Sequence, residues 1–179
     1  ADVPLDAFAA GLRDTLASAN VDSLIVDVRH NNGGNNGLLQ PLIDTIAGFA
    51  AGSPQRRVYV ITSRVTFSAA QNFITRLERR VPGALFAGEP SMSSPNFTGE
   101  DNPVTLPFSG LAVSISNRYW QDSDPSDQRP WIAPQIAVGL SSQDWLRNRD
   151  PVLDAVLQAI AKQRPKDREA AGGEGNAPR

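Results

Sequence analysis

The sequence predicts an α/β fold built on a parallel sheet. Three observations carry this. Two short runs, LIVDV at Leu24–Val28 and VYVIT at Val58–Thr62, are almost wholly apolar and read as buried strands. Each is followed by a turn and then by a stripe of apolar residues at helical spacing. The first half of the chain thus runs α-β-α-β-α-β, and strands joined by helices pair in parallel through right-handed crossovers.

The elements follow in order. Residues 5–19 place Leu5, Phe8, Ala9, Leu12 and Leu16 on one helical face, and Pro4 suits a helix start. After the first strand comes the loop HNNGGNNG, His30–Gly37. A second helix is expected over 38–50, with Pro41 in its first turn, where a missing amide costs little. Gly52–Pro54 is a stop signal. A third helix over 68–80 packs through Phe73, Ile74 and Leu77, and Ala84–Ala87 is a third strand. Glu89–Pro103 reads as a long polar loop. Val104–Phe108 and Leu111–Ser116 form a hairpin around Ser109-Gly110. Asn117–Pro134 reads as a second loop, and Ile136–Leu140 as a last strand. Asp150-Pro151 opens a final helix, with Asp as cap and Pro at the first helical position. The length predicts one domain over residues 1–164, followed by a small, polar tail over 165–179.

Composition removes several classes of function. Seventeen basic against 19 acidic residues leave a net charge of −2, which offers no field for nucleic acid or anionic lipid. There is no cysteine, so disulfides, thiolate metal sites and thiolate nucleophiles are excluded. No apolar run is long enough to span a membrane. Asp2 and Asp6 stand where a signal peptide would carry basic residues. No motif calls for a cofactor or a metal, and none encodes an oligomeric state. The single histidine, His30, and two late lysines, Lys162 and Lys166, are the few groups able to act as a base near neutrality.

Three segments can carry chemistry. In the first, Gly33-Gly34 allows the backbone to turn and expose successive N–H groups, a way to stabilise an oxyanion. The same residues also make a plain turn at a strand end. The spacing fits neither a P-loop nor a dinucleotide fingerprint. In the second, ITSRVTFSAAQNF, a strand, a tight connection and a helix set Ser68 at a helix N-terminus. There it either caps the helix or is exposed as a nucleophile, with Ser63 and Thr66 as competing caps. The third, GEPSMSSPNFTGE, either flanks the same strand end or is a solvent loop. Glu89 is placed to pair with an arginine, and Ser93 and Ser94 to line a groove. His30 reaches Ser68 only if their strand ends are neighbours. Tyr119, Trp120, Trp131 and Trp145 line a groove or anchor loops.

Taken together, LIVDVRHNNGGNN, VYVITSRVTFSAAQNF, AGEPSMSSPN and RDPVLDAVL resemble the catalytic domain of the S41 family of serine peptidases. These are the C-terminal processing, or tail-specific, proteases and their tricorn-like relatives. The resemblance runs from about Asp22 to Leu157. It implies a ClpP/crotonase-like fold, a nucleophile at Ser68, and oxyanion amides from Gly33 or Gly34 and from Ala69. It implies a peptide or protein substrate and a periplasmic or secreted location.

The sequence also departs from the family pattern. The lysine that processing proteases place 25 residues after the serine is Ser93 here, and the acidic residue of the S-A-x-E segment is Gln71. Ser91, Met92 and Ser93 replace the threonine and glycines of GExTGG. Tricorn-like members take a histidine from sequence before the first helix. The expectation is a serine endopeptidase core lacking its N-terminal portion, with that missing segment as the partner that supplies the base. The alternative is an inactive relative that binds a peptide or small apolar ligand. A third reading, acyl-thioester chemistry on Gly33 and Gly34, lacks any acyl-carrier or adenine-binding feature.

Overall fold

The computed structural model describes residues 3–163. The expected tail and Lys166 lie outside them. In chain order the elements are α1 (Leu5–Ser18), β1 (Ser23–Asp27), a 3₁₀ turn (Asn36–Leu38), α2 (Gln40–Ala51), β2 (Arg57–Thr62), α3 (Ala69–Arg80) and β3 (Leu85–Gly88). They continue with β4 (Asn96–Thr105), β5 (Ala112–Gln121), β6 (Ile136–Ala137), α4 (Ser142–Leu146) and α5 (Pro151–Gln163). The expected α-β-α-β-α-β order is present.

The sheet has four strands in the order β1-β2-β3-β6, all parallel. Because β1, β2 and β3 are adjacent in the same order as in the chain, right-handed crossovers put α2 and α3 on one face. The burial confirms it. Val58 and Val60 of β2 face Ile43, Ile46 and Phe49 of α2 and Phe73, Ile74 and Leu77 of α3, with Leu16 of α1. Tyr59 and Ile61, pointing the other way, meet Val152 and Val156 of α5. The central strand is therefore apolar at every position from Val58 to Ile61, as a parallel strand covered on both sides must be. Each of these side chains contributes about 1.5–3 kcal/mol of burial.

The middle of the chain departs from expectation. The hairpin is longer than the apolar pattern suggests. β4 and β5 form a separate antiparallel ribbon in which Phe97 pairs with Trp120 and Thr105 with Ala112. Half of the expected polar loop 89–103 is strand. The ribbon stands largely in solvent, and Phe108 at its tip is fully exposed. No residue from Asn102 to Asn117 carries a charge. A ribbon with few buried side chains has no clean alternation to reveal its ends. The last strand is only two residues long, and the short helix α4 was not foreseen. Phe8, expected inside, is half exposed, whereas Ala9 and Leu16 hold α1 against α2.

The segment after the ribbon is tied back to α3. Arg129 makes a two-pronged ion pair with Glu78, both bonds 2.8 Å, and a second pair with Asp127. Hydrogen bonds from Arg129 hold the Asp127 carboxyl well below the usual carboxylate range. A carboxylate with a depressed folded pKa stabilises the fold above its unfolded value of about 4, and that stability is lost as pH falls. The unfolding free energy is thus expected to decline below about pH 4, and the decline to be shallower in Asp127→Asn, as urea titrations at several pH values will report.

Gly88 ends β3 with φ of 103°, and a Cβ there would lie 2.4 Å from the Thr62 carbonyl oxygen. Gly88→Ala is expected to cost about 3 kcal/mol or more, through strain and a backbone clash that no rotamer relieves, as measured by chemical unfolding.

Candidate active site

Ligands of parallel α/β sheets gather at the carboxyl ends of the strands. Here the loops after β1 and β2 meet at that edge. The ladder brings Asp27 beside Ile61, and the Val28 N–H donates to the Ile61 carbonyl at 3.0 Å. Beyond the ladder, side chains continue the pairing. The buried Thr66 hydroxyl donates to the Val28 carbonyl at 3.0 Å and accepts from the Ser63 N–H at 3.0 Å. The Ser63 hydroxyl donates to the Arg29 carbonyl. The Phe67 N–H donates to the Asn31 carbonyl at 3.3 Å. Ser63 and Thr66, the competing caps, therefore do not cap α3. They fasten the turn before Ser68 to the loop that begins at Arg29.

Ser68 then occupies the residue before α3 with φ 53° and ψ −125°. A non-glycine residue in this region costs about 1–3 kcal/mol and persists only where its surroundings impose it. Its side chain makes no capping bond, so the capping reading fails. The bend is the sharp strand-to-helix turn that presents a hydroxyl rather than burying it. Ser68 is half buried at the positive end of α3, and Ala69 behind it is buried.

Gly33 lies directly against this turn. A Cβ on Gly33 would sit 2.8 Å from the Ser68 Cβ, 3.2 Å from its Oγ and 3.6 Å from the Ala69 nitrogen. Gly33 and Gly34 take φ of 133° and 146°, conformations that side chains disfavour. The Gly33 N–H already donates to the Asn31 side-chain oxygen at 3.0 Å. The N–H groups of Gly34 and Ala69 have no hydrogen-bond partner among the described residues. Ala69 follows Ser68 directly, and Gly34 follows the glycine that touches it.

His30 is exposed, and no hydrogen bond joins it to Ser68 among the described residues. The third segment does flank the site, since the Met92 N–H donates to the Thr66 carbonyl at 3.0 Å. Glu89 pairs with Arg64 at 3.3 Å, as its position suggested. Two of the positions that depart from the family pattern share a property. Gln71 is fully buried with no donor on its side-chain oxygen, and the Ser93 hydroxyl is buried without a partner. Trp145 and Trp131 are exposed and far from forming a closed groove. No cluster of His, Asp and Glu able to hold a metal exists among the described residues.

No sequence pattern marks the polar groups that brace the site from behind. Arg29 bridges Asp27 and Asp150, with bonds of 2.8 and 2.7 Å to Asp150. Asp150 in turn accepts from the Leu153 N–H at the start of α5, and the Arg29 hydrogen bond lowers its pKa. Asn36, Asn72 and Asp122 form a second brace.

Solved structures were compared with this architecture. A candidate S41 protease of Bacteroides fragilis superposes with a TM-score of 0.56 at 16% identity, over 89% of this chain and 50% of its own. The fold is S41-like. A lipoprotein of Streptococcus agalactiae matches with a TM-score of 0.45 at 16% identity, over 82% of this chain and 61% of its own. The photosystem II D1 C-terminal processing protease matches with a TM-score of 0.49 at 17% identity, over 76% of this chain and 39% of its own. The S41-like domain thus spans half the length of the Bacteroides protein. No family profile and no curated protein matches the chain. Among the described residues no helix is long and apolar enough to cross a membrane.

Thr66→Val keeps the shape of the buried side chain but removes the bond to Val28, which joins the two loops, and the bond from Ser63, which closes the turn before Ser68. It is expected to cost about 1–3 kcal/mol in urea unfolding, because the Ser63 N–H loses its partner and the Val28 carbonyl keeps only the Asn31 N–H.

Proposed function

We propose that the domain is the core of a serine-type endopeptidase of the S41 kind, with Ser68 as nucleophile. The observation that carries this is the strained, uncapped Ser68 at the start of α3, set against a glycine turn with free amides on both sides. In the proposed reaction Ser68 Oγ attacks the carbonyl carbon of a peptide while a general base takes the hydroxyl proton. The oxyanion is received by the N–H groups of Ala69 and of the glycine pair. Gly34 is the better candidate within that pair, because Asn31 already occupies the Gly33 N–H. The proton passes to the leaving amine, and water then hydrolyses the acyl-enzyme to free Ser68.

The base belongs outside the described residues in this reading, in the remainder of a longer protein. His30 stays as the candidate within the chain, and it would have to swing toward Ser68. The ClpP/crotonase-like assignment rests on the resemblance to the S41 family, and the meeting of Gly33 with the Ser68 turn supports it. A periplasmic or secreted location, and a domain ending near residue 164, are part of the same proposal.

A second reading has its own support. Ser93 and Gln71 replace the lysine and acidic residue of the family pattern, and Ser68 Oγ meets no base among the described residues. On this reading the same cleft binds a peptide or small apolar ligand without cleaving it.

Labelling with a fluorophosphonate probe separates the two. The catalytic reading expects covalent labelling of the full-length protein that Ser68→Ala abolishes, together with peptide hydrolysis that falls by at least about 10³-fold. Peptide binding unchanged by Ser68→Ala, with no labelling and no hydrolysis, would establish the inactive domain instead.

A further inference from the structure

Asn72 lies one turn beyond Ser68 on α3, fully buried, and its backbone N–H donates to the Ser68 carbonyl at 3.0 Å. Its side chain is engaged at both ends. The Asn36 amide nitrogen donates to the Asn72 side-chain oxygen at 2.9 Å, and the Asn72 amide nitrogen donates to an Asp122 carboxylate oxygen. Asp122 immediately follows β5, at the base of the ribbon. Its second oxygen pairs with Arg76 at 3.0 Å, and its backbone carbonyl accepts from Arg79 at 2.7 Å. The Asp122 side chain is only 16% exposed.

The direction of this chain is not free. An ionised carboxylate only accepts, so the Asn72 group facing it must be the NH₂. The Asn72 oxygen then faces Asn36, and Asn36 must donate. One charge thereby sets the orientation of two amides in succession, and Asn36 is held in one rotamer at the start of the 3₁₀ turn that closes the glycine loop. The remaining Asn36 oxygen is buried with no donor, the unsatisfied end of the relay. Leaving such an atom unpaired is unfavourable, and the bond to Asn72 at the other end of the amide offsets that cost.

We infer that Asp122 and Asn72 are positioning residues: the Asp122 carboxylate, acting through the amides of Asn72 and Asn36, fixes the glycine loop 33–37 against the Ser68 turn. The base of the ribbon and the glycine loop are 86 residues apart between Asn36 and Asp122, and this relay joins them through the helix that carries Ser68. Only the activity arm of the following test rests on the catalytic reading above.

The test compares the full-length protein with its Asp122→Asn variant, which keeps shape but removes the acceptor-only group, and with Asn72→Asp, which sets a carboxylate against a carboxylate. Backbone NMR order parameters of Gly33, Gly34 and Gly37 are read beside those of Val60 and Ile61 in the core. The wild type is expected to be rigid at the glycines, near 0.85, and both variants to fall below about 0.6 there with the core strand unchanged. Fluorophosphonate labelling of Ser68 is expected to slow by about 10- to 100-fold in both variants. Glycine order parameters that match the wild type in both variants overturn the inference, as does a loss of order shared equally by β2. A wild type that is never labelled, with order parameters that respond as expected, overturns the catalytic reading and leaves the positioning role standing.

Discussion

Everything at the candidate site depends on the in-register parallel pairing of β1 with β2. The pairing sets two strand ends side by side, and the Thr66 hydroxyl extends it past the last ladder bond by joining Val28 to Ser63. Once the ends are fixed, the loops they launch have little choice. The first must turn through two glycines with positive φ, because Gly33 runs into Ser68 and has no room for a side chain. The second must bend sharply enough to start α3 at Ala69, which drives Ser68 into a conformation that side chains seldom accept. The strain at Ser68 is thus imposed by the close approach of two turns, and the packed sheet beneath them supplies the free energy that holds it.

Much of this was legible in the sequence, and the reasons are physical. β1, β2, α2 and α3 declared themselves because both faces of the sheet are covered, so their apolar patterns are uninterrupted. The order of strand, turn and helix puts Ser68 at a helix start, and the resemblance to the S41 family joins Gly33, Gly34 and Ala69 to it. What stayed hidden has no periodic signature. The bonding of Asn36 to Asn72 to Asp122 is made between polar residues far apart in sequence. The clamp of Arg29 on Asp150 joins opposite ends of the chain. The ribbon was read too short because most of its side chains face solvent, where alternation is not enforced. The occupation of the Gly33 N–H by Asn31 is likewise visible only once the loop is folded.

The polar groups around Ser68 are arranged unevenly. On the side of the glycine loop, Ser63, Thr66 and Asn31 find partners in sequence, and among the described residues only the Asn36 oxygen is buried there without a donor. On the other side, Gln71 and Ser93 bury oxygens that nothing satisfies. Both are among the positions at which the sequence leaves the pattern of the family it resembles. A neutral amide and a small hydroxyl stand where the family pattern has an acidic residue and a lysine, so the desolvation of two charged groups is avoided while both oxygens stay without a donor.

The ribbon has a consequence for how the protein behaves at high concentration. From Asn102 to Asn117 it carries no charge, and Phe108, Leu111 and Ile115 point into water. Repulsion between molecules must come from the rest of the surface, whose net charge is small at neutral pH and vanishes near pH 5.4. Pro103 removes one backbone donor from β4, while β5 has no proline and, over Ala112–Asn117, no charge to discourage pairing with a neighbour. The colloidal stability of this molecule is therefore weakest in mildly acid solution, and a single lysine in β5 would do more for its solubility than several placed elsewhere on the surface.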